Sequence, residues 1–259
     1  MSDISEAVIL IAGQGSRLRQ GYSESVREQA RADKNCLKPF VPVLGRPLLS
    51  YTLEAISNAG ITTAHLVVGY ESERVIAQAK QLIPSHINAS FILNRDWQKQ
   101  NGISLLAAAN HVSAPFLLTM GDHVFDETVF DCLLDNFEPD VLNIAIDRKL
   151  DSIVDLDDAM KLQMRGNKVT AIGKNLQTYD AIDTGLFICP SDIFGYLEQA
   201  KSSNSANDCS LANGIELMAA HGKVRGIDIG SGRWHDIDTP RVLEHAEQDT
   251  SWRALRSLN

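Results

Sequence analysis

The feature that most constrains this 259-residue chain is an alternation of short β-rich apolar runs with longer stretches at helical spacing. The segments are 7–11, 48–59, 64–69, 72–82, 90–94, 103–110, 116–120, 127–136 and 141–147. Strand and helix in strict alternation predict βαβ units and a largely parallel sheet covered on both faces. After Asp147 the pattern changes. From Met160 the sequence MKLQMRGNKVTAIG reads as two short alternating strands around Gly166-Asn167, a hairpin signal. AIDTGLFICP gives another strand; helices follow near 191–199 and 211–221, then a strand at 224–229 and a final helix from about Pro240. The fold class this predicts is α/β: a three-layer α/β/α, Rossmann-like arrangement with a mixed, mostly parallel sheet. The chain reads as a single domain over 1–259, with a mixed-sheet lobe late in the chain.

A formal net charge of -9 at pH 7 argues against nonspecific binding to nucleic acid or anionic lipid, which needs clustered Lys and Arg. A local basic pocket for a phosphate ligand stays open. The four cysteines, Cys36, Cys132, Cys189 and Cys209, form no CxxC pair and no zinc-like spacing. The N-terminal MSDISEAVILIAG carries acidic residues before a short apolar run, which reads as a strand rather than a signal peptide. No segment approaches the roughly 20 apolar residues of a membrane helix, so the expectation is a cytoplasmic protein with no membrane insertion. Between Arg19 and Leu37 lies a long polar stretch, of the kind that is functional or mobile beside a site.

The first strand ends in Ala12-Gly13-Gln14-Gly15-Ser16-Arg17-Leu18. Two glycines two apart let the backbone aim several N–H groups at one anion, and Arg17 adds a bidentate charge for phosphate oxygens. The same G-x-G opens Rossmann dinucleotide sites, although Leu18 stands where that fingerprint has its third glycine. Asn94 and Asn101-Gly102-Ile103-Ser104 place amides and a hydroxyl at a helix start, equally suited to reading a pyrimidine and to capping the helix. Gly121-Asp122 follows a strand, where a carboxylate points into the ligand crevice of a doubly wound sheet. Asp236-Ile237-Asp238 sets two further carboxylates at strand spacing, suited to completing an oxygen site for a hard cation. His123 and His235 read as incidental neighbours, because magnesium prefers oxygen.

With Leu37-Lys38-Pro39-Phe40-Val41-Pro42-Val43 and Gly45-Arg46-Pro47-Leu48-Leu49 the pattern becomes specific. A-G-x-G-S-R-L followed by K-P-x-x-P-V and G-x-P-L-L resembles the nucleotidyltransferases that activate phosphorylated small molecules with a nucleoside triphosphate. N-G-x-S-L-L, then Asp157-Asp158-Ala159-Met160-Lys161, Ala171-Ile172-Gly173-Lys174 and Asp180-Ala181-Ile182-Asp183-Thr184-Gly185, are similar in order and spacing to elements of the inositol 1-phosphate cytidylyltransferases. Leu37 departs from the proline usual in that family. The resemblance implies a nucleotide-binding half at about 1–147, an acceptor lobe with the second metal carboxylates at about 148–239, and a C-terminal helix at 240–259. It implies Ala12, Gly13, Gly15, Ser16, Arg17, Asn94, Asn101, Gly102, Ser104 and Gly121 at the nucleotide. Arg17, Lys38 and Lys174 would be catalytic, with Lys174 on the acceptor phosphate. Asp147, Arg148, Asp183 and Thr184 would bind the acceptor, and Asp122, Asp236 and Asp238 would hold Mg2+.

The implied reaction couples CTP to inositol 1-phosphate, giving CDP-inositol and pyrophosphate. A sugar 1-phosphate, phosphocholine or an aminophosphonate stays open as acceptor, as does a catalytically silent nucleotide-sensing subunit. Asp157 and Asp158 also fit a solvated acidic hairpin. A separately encoded membrane-bound transferase downstream and a homodimer are both compatible with the chain.

Overall fold

The computed structural model describes residues 4–20, 36–113 and 115–249. The polar stretch before Leu37 falls mostly outside the described residues.

The first half is built from right-sized alternating units: β1 (Glu6–Leu10), α1 (Ser16–Gln20), α2 (Leu48–Asn58), β4 (Thr63–Val68), α3 (Ser72–Ala79), β5 (Asn88–Leu93), α4 (Asn101–Ala107) and β6 (Phe116–Met120). A small ribbon, β2 (Pro42–Val43) with β3 (Arg46–Pro47), precedes α2. Next come β7 (His123–Phe125), α5 (Glu127–Asn136), β8 (Leu142–Asp147) and the hairpin of β9 (Lys161–Arg165) and β10 (Lys168–Gly173). The chain continues through β11 (Ala181–Cys189), α6 (Asp192–Ser203), α7 (Leu211–Ala220), β12 (Val224–Asp228), β13 (Trp234–Asp236) and α8 (Pro240–Gln248).

One nine-stranded sheet runs in the order β5-β4-β1-β6-β11-β8-β12-β10-β9. Pairings β5–β4, β4–β1 and β1–β6 are parallel, as βαβ units require, and β12 is parallel to β8. β11 enters antiparallel between β6 and β8, and the β9–β10 hairpin closes the far edge. The later strands therefore extend the same sheet.

Strand alternation sorts the core into two faces. Val8 and Leu10 of β1 pack with Ile103 and Leu105 of α4, Leu197 of α6 and Ile215 of α7. Ala7 and Ile9 pack on the other side with Leu53 of α2, Val75 of α3 and Leu133 of α5. Helices on both faces of a sheet make the three-layer arrangement that the alternation predicts. This places the loops after β1 and β6 side by side at the carboxyl ends of parallel strands, where open α/β sheets bind their ligands.

Candidate active site

The loop after β1 is pinned by its backbone: Ile11 N–H donates to Val67 O at 2.9 Å, and Tyr70 N–H to Ala12 O at 2.9 Å. Gly15 has φ +65°, and a Cβ there would stand 2.6 Å from the Lys38 Cβ. Glycine is thus required both by the left-handed backbone and by the lysine passing against the loop. Lys38 opens a 3₁₀ turn, Lys38–Phe40, and its ammonium reaches Asp122 Oδ2 at 2.6 Å and pairs with Asp238. Burial would lower the Lys38 pKa, but Asp122, Asp238 and Asp236 outweigh it and raise it. The lysine stays charged.

Asp122 sits between β6 and β7. The neighbouring Gly121 N–H donates to Leu10 O at 3.1 Å, holding this turn against the end of β1. The second carboxylate comes from far along the chain on β13, whose Asp236 pairs in register with His123 of β7. Ile237 N–H donates to Asp122 O at 2.9 Å and fixes that register. His123 is buried, its Nδ1 lies 2.8 Å from Asp122 Oδ1, and its ring stacks on Trp234 at 5.9 Å. Gly185 in β11, with φ +78°, lets the imidazole approach, since a Cβ would fall 2.7 Å from the ring. Burial would lower the His123 pKa; Asp236 and Asp122 raise it to about 9, so the ring is a cation. Burial would raise the Asp122 carboxyl, but Lys38 and His123 hold it well below the usual range. Burial, with Asp122 and Asp238 adding to it, pushes Asp236 upward.

Ligand atoms of Asp122, His123 and Asp236 lie within 4.8 Å of one another. Asp236 Oδ1 is buried and accepts no hydrogen bond among the described residues. His123 Nδ1 stands 3.9 Å from this oxygen as its charge partner, and a carboxylate oxygen without a hydrogen bond beside other carboxylates fits a hard divalent cation. His123 turns its Nδ1 to Asp122, so carboxylate oxygens form the donor set. Asp238 stands beside this group and, like Asp122 with Lys38 and His123, has both oxygens on cations. Its oxygens face the cations, Oδ1 towards Lys38 and Oδ2 towards Arg17.

These groups open into a cleft of about 530 Å³, lined among others by Arg17, Asp122, Asp147, Lys174, Asp183 and Trp234. An adjoining recess of about 200 Å³ runs under the loop past Gly13, Gly15, Ser16, Lys38 and Gly121. Ala12, Asn101 and Ser104 also border the main cleft. Asp147 is 2 % exposed; its Oδ2 accepts from Trp234 Nε1 at 3.0 Å and its Oδ1 from Lys149 N at 2.8 Å. Asp183 Oδ1 accepts from Gly185 N at 2.8 Å, and burial pushes its carboxyl up to about 6.

Four expected site residues face elsewhere. Thr184 is fully buried and its hydroxyl donates to Ala145 O at 2.8 Å, inside the sheet rather than at an acceptor. Arg148 turns away from the cleft to Asp228, 3.4 Å away. Gly102 packs α4 against the segment before α7, where a Cβ would be 2.6 Å from Cys209 O. Asn94 is buried behind the cleft wall; its Nδ2 donates to Ser104 Oγ at 3.0 Å and its Oδ1 accepts from Asp96 N at 2.9 Å. It supports Ser104. Conversely, the sequence reading passed over His123 and Trp234. Both lie on the ribbon that pairs His123-Val124-Phe125 with Trp234-His235-Asp236, segments too short to stand out in the sequence.

Residues 7–154 match the MobA-like NTP transferase domain. The chain belongs to the MobA-like NTP transferase family. It is 26% identical over 256 residues to the bifunctional IPC transferase and DIPP synthase of Aquifex aeolicus, across 98% of this chain and 54% of that protein. It is 27% identical over 236 residues to the bifunctional protein GlmU of Methanococcus maripaludis, across 91% of this chain and 52% of that one. The chain thus spans about half the length of these curated relatives. In fold it is similar to the inositol-1-phosphate CTP transferase from T. maritima, with a TM-score of 0.75 at 22% identity, covering 96% of this chain and 99% of the other. The family's shared NTP chemistry agrees with the glycine loop and the lysine–carboxylate centre at the ends of β1 and β6. No described helix is long and apolar enough to cross a membrane.

Proposed function

We propose that this chain couples CTP to a phosphorylated polyol, inositol 1-phosphate first among them, and releases pyrophosphate. The observation that carries this reading is the lysine–carboxylate centre: Lys38 between Asp122 and Asp238, in the recess that adjoins the cleft bordered by Asp236. The triphosphate belongs against the Gly13–Gly15 loop and Lys38, with Arg17 at its mouth. Asn101 and Ser104 border the place for the base. Asp147 and Asp183 offer carboxylate oxygens to ring hydroxyls, and Lys174 meets the acceptor phosphate.

Charge governs the chemistry. The acceptor phosphate is mostly dianionic near neutral pH, its second pKa being about 6, so it needs little help from a general base. The obstacle is bringing two anions together and stabilising the departing pyrophosphate, which Arg17, Lys38 and Lys174 offset as fixed cations. Mg2+, held by Asp122 and Asp236, would supply further countercharge at the phosphates. Asp238 keeps Lys38 and Arg17 aimed at the same place. Direct in-line attack needs no nucleophilic side chain, and none is set in the cleft in a base-paired geometry among the described residues.

One observation favours a second reading: Trp97, Phe187 and Trp234 line the cleft, and aromatic faces suit a cationic acceptor such as phosphocholine. Trp234, however, already carries His123 against its ring and gives its N–H to Asp147. Mass spectrometry of products from CTP and inositol 1-phosphate tests the primary reading. It should show CDP-inositol with pyrophosphate, and no exchange of labelled pyrophosphate into CTP without acceptor; CMP without a coupled product would contradict it.

A further inference from the structure

Arg17 and Lys174, two cations that the proposed reaction sets on phosphates, share one carboxylate. Arg17 Nη1 lies 2.5 Å from Asp158 Oδ2, and Lys174 Nζ lies 2.5 Å from Asp158 Oδ1. Arg17 comes from α1 beside the glycine loop; Lys174 follows β10, and Asp158 stands 141 residues from Arg17. Lys161 fixes this meeting point. It is 7 % exposed and donates to the carbonyls of Asp157 at 3.2 Å, Ala159 at 3.5 Å and Lys174 at 2.7 Å. The turn carrying Asp158 is thereby locked to the turn carrying Lys174.

A carboxylate with one oxygen on each of two cations mimics two oxygens of a phosphate bridging them. We propose that Asp158 is a positioning residue that stands in for a substrate phosphate, holding Arg17 and Lys174 around an anion seat and yielding that seat when a phosphate arrives. This rests on the assignment of the cleft to phosphate-bearing substrates. Exposure makes the exchange easy: side-chain exposures of 55% for Arg17, 45% for Lys174 and 40% for Asp158 leave the pairs solvated. Such solvated pairs are weak and readily exchanged. A phosphate brings more charge than the carboxylate it displaces. Asp158 retained in the seat would repel it.

The test is calorimetric binding of pyrophosphate, and separately of inositol 1-phosphate, to the full chain without CTP. Asp158→Asn should tighten binding of at least one of them about 3–10-fold, the equivalent of losing two weak competing pairs. Asp158→Glu should restore the weaker affinity, and adding Lys174→Ala to Asp158→Asn should abolish the gain. A gain with pyrophosphate alone places the nucleotide's tail in the seat, and a gain with inositol 1-phosphate alone places the acceptor there; either supports the inference. Unchanged or weaker binding of both anions at an unchanged Tm overturns it, with Asp158→Ser as the second variant if the asparagine form does not fold. Because binding is read without turnover, failure of cytidylyl transfer and failure of the stand-in role are separate results.

Discussion

At the scale of single residues, the lysine–carboxylate centre separates function from stability. Lys38→Ala removes the cation nearest the proposed leaving group and should lower kcat about 10²–10³-fold. It also leaves Asp122 and Asp238 without their ammonium partner, so the Tm should fall by the equivalent of about 1–3 kcal/mol. Asp236→Asn should behave differently in the metal-free protein. The substitution removes a partly exposed carboxylate that burial and the neighbouring Asp122 and Asp238 disfavour; solvent screening and the lost pair with His123 keep the relief small, so the Tm should stay level or rise slightly, while turnover is lost. A thermal melt with chelator beside an activity assay checks both, and a lower Tm for Asp236→Asn would contradict the like-charge account. Asp183 gives a pH signature. Its carboxyl is raised by burial from 3.8 to about 6, so the folded protein binds that proton more tightly than the unfolded chain. The resulting stability is fully present below about pH 3.8 and is lost as the pH rises through about 6. Asp183→Asn should flatten denaturant-derived stability across that window; an unchanged slope would show that the group titrates normally. Neighbouring residues also show what a sequence motif does not resolve. Asp183 and Thr184 lie on one strand, so their side chains take opposite faces; a motif that names both cannot put both on an acceptor. Asp147 and Arg148 part at the end of β8, the carboxylate facing Trp234 and the guanidinium facing Asp228. Thr184→Val should cost about 1 kcal/mol of stability through the lost bond to Ala145 and leave the acceptor KM unchanged.

At the scale of elements, the β7–β13 ribbon joins the two parts of the site. It brings Asp236 from near the end of the chain into register with His123. Gly185 in β11 makes room for that histidine. Gly185→Ala should strain the backbone by about 1–3 kcal/mol and displace His123, so turnover should fall with the Tm; normal activity at a normal Tm would mean that His123 does not hold Asp122 in place. The long elements were legible because their periodicities are unambiguous: α5 at Glu127–Asn136 and β6 at Phe116–Met120 have the bounds that the apolar pattern predicts. The ribbon was not. Three-residue strands carry too little alternation to register as strands, and their pairing depends on a partner about 110 residues away. Gly102 and Asn94 show the same limit, since an amide or a glycine at a helix start looks alike whether it meets a base or packs a neighbouring loop.

At the scale of the whole molecule, one sheet carries both walls of the cleft. The parallel strands β4, β1 and β6 deliver the glycine loop and Asp122 at their carboxyl ends, while β8, β11 and the β9–β10 hairpin bring Asp147, Asp183 and Lys174 to the same cleft. The alternation of apolar runs announced the first group. The second depends on β11 entering antiparallel between β6 and β8, a topology that local pattern does not encode. The central claim is that this cleft joins a nucleoside triphosphate to a phosphorylated polyol. It is tested most directly by pyrophosphate release with magnesium, crossing the four nucleoside triphosphates against inositol 1-phosphate, glucose 1-phosphate, phosphocholine and 2-aminoethylphosphonate. The account predicts release with CTP and inositol 1-phosphate, slowed about 10²–10³-fold by Lys38→Ala. Release with a different pair would contradict the substrate assignment, and silence across the whole grid would contradict the assignment of the cleft to nucleotidyl transfer.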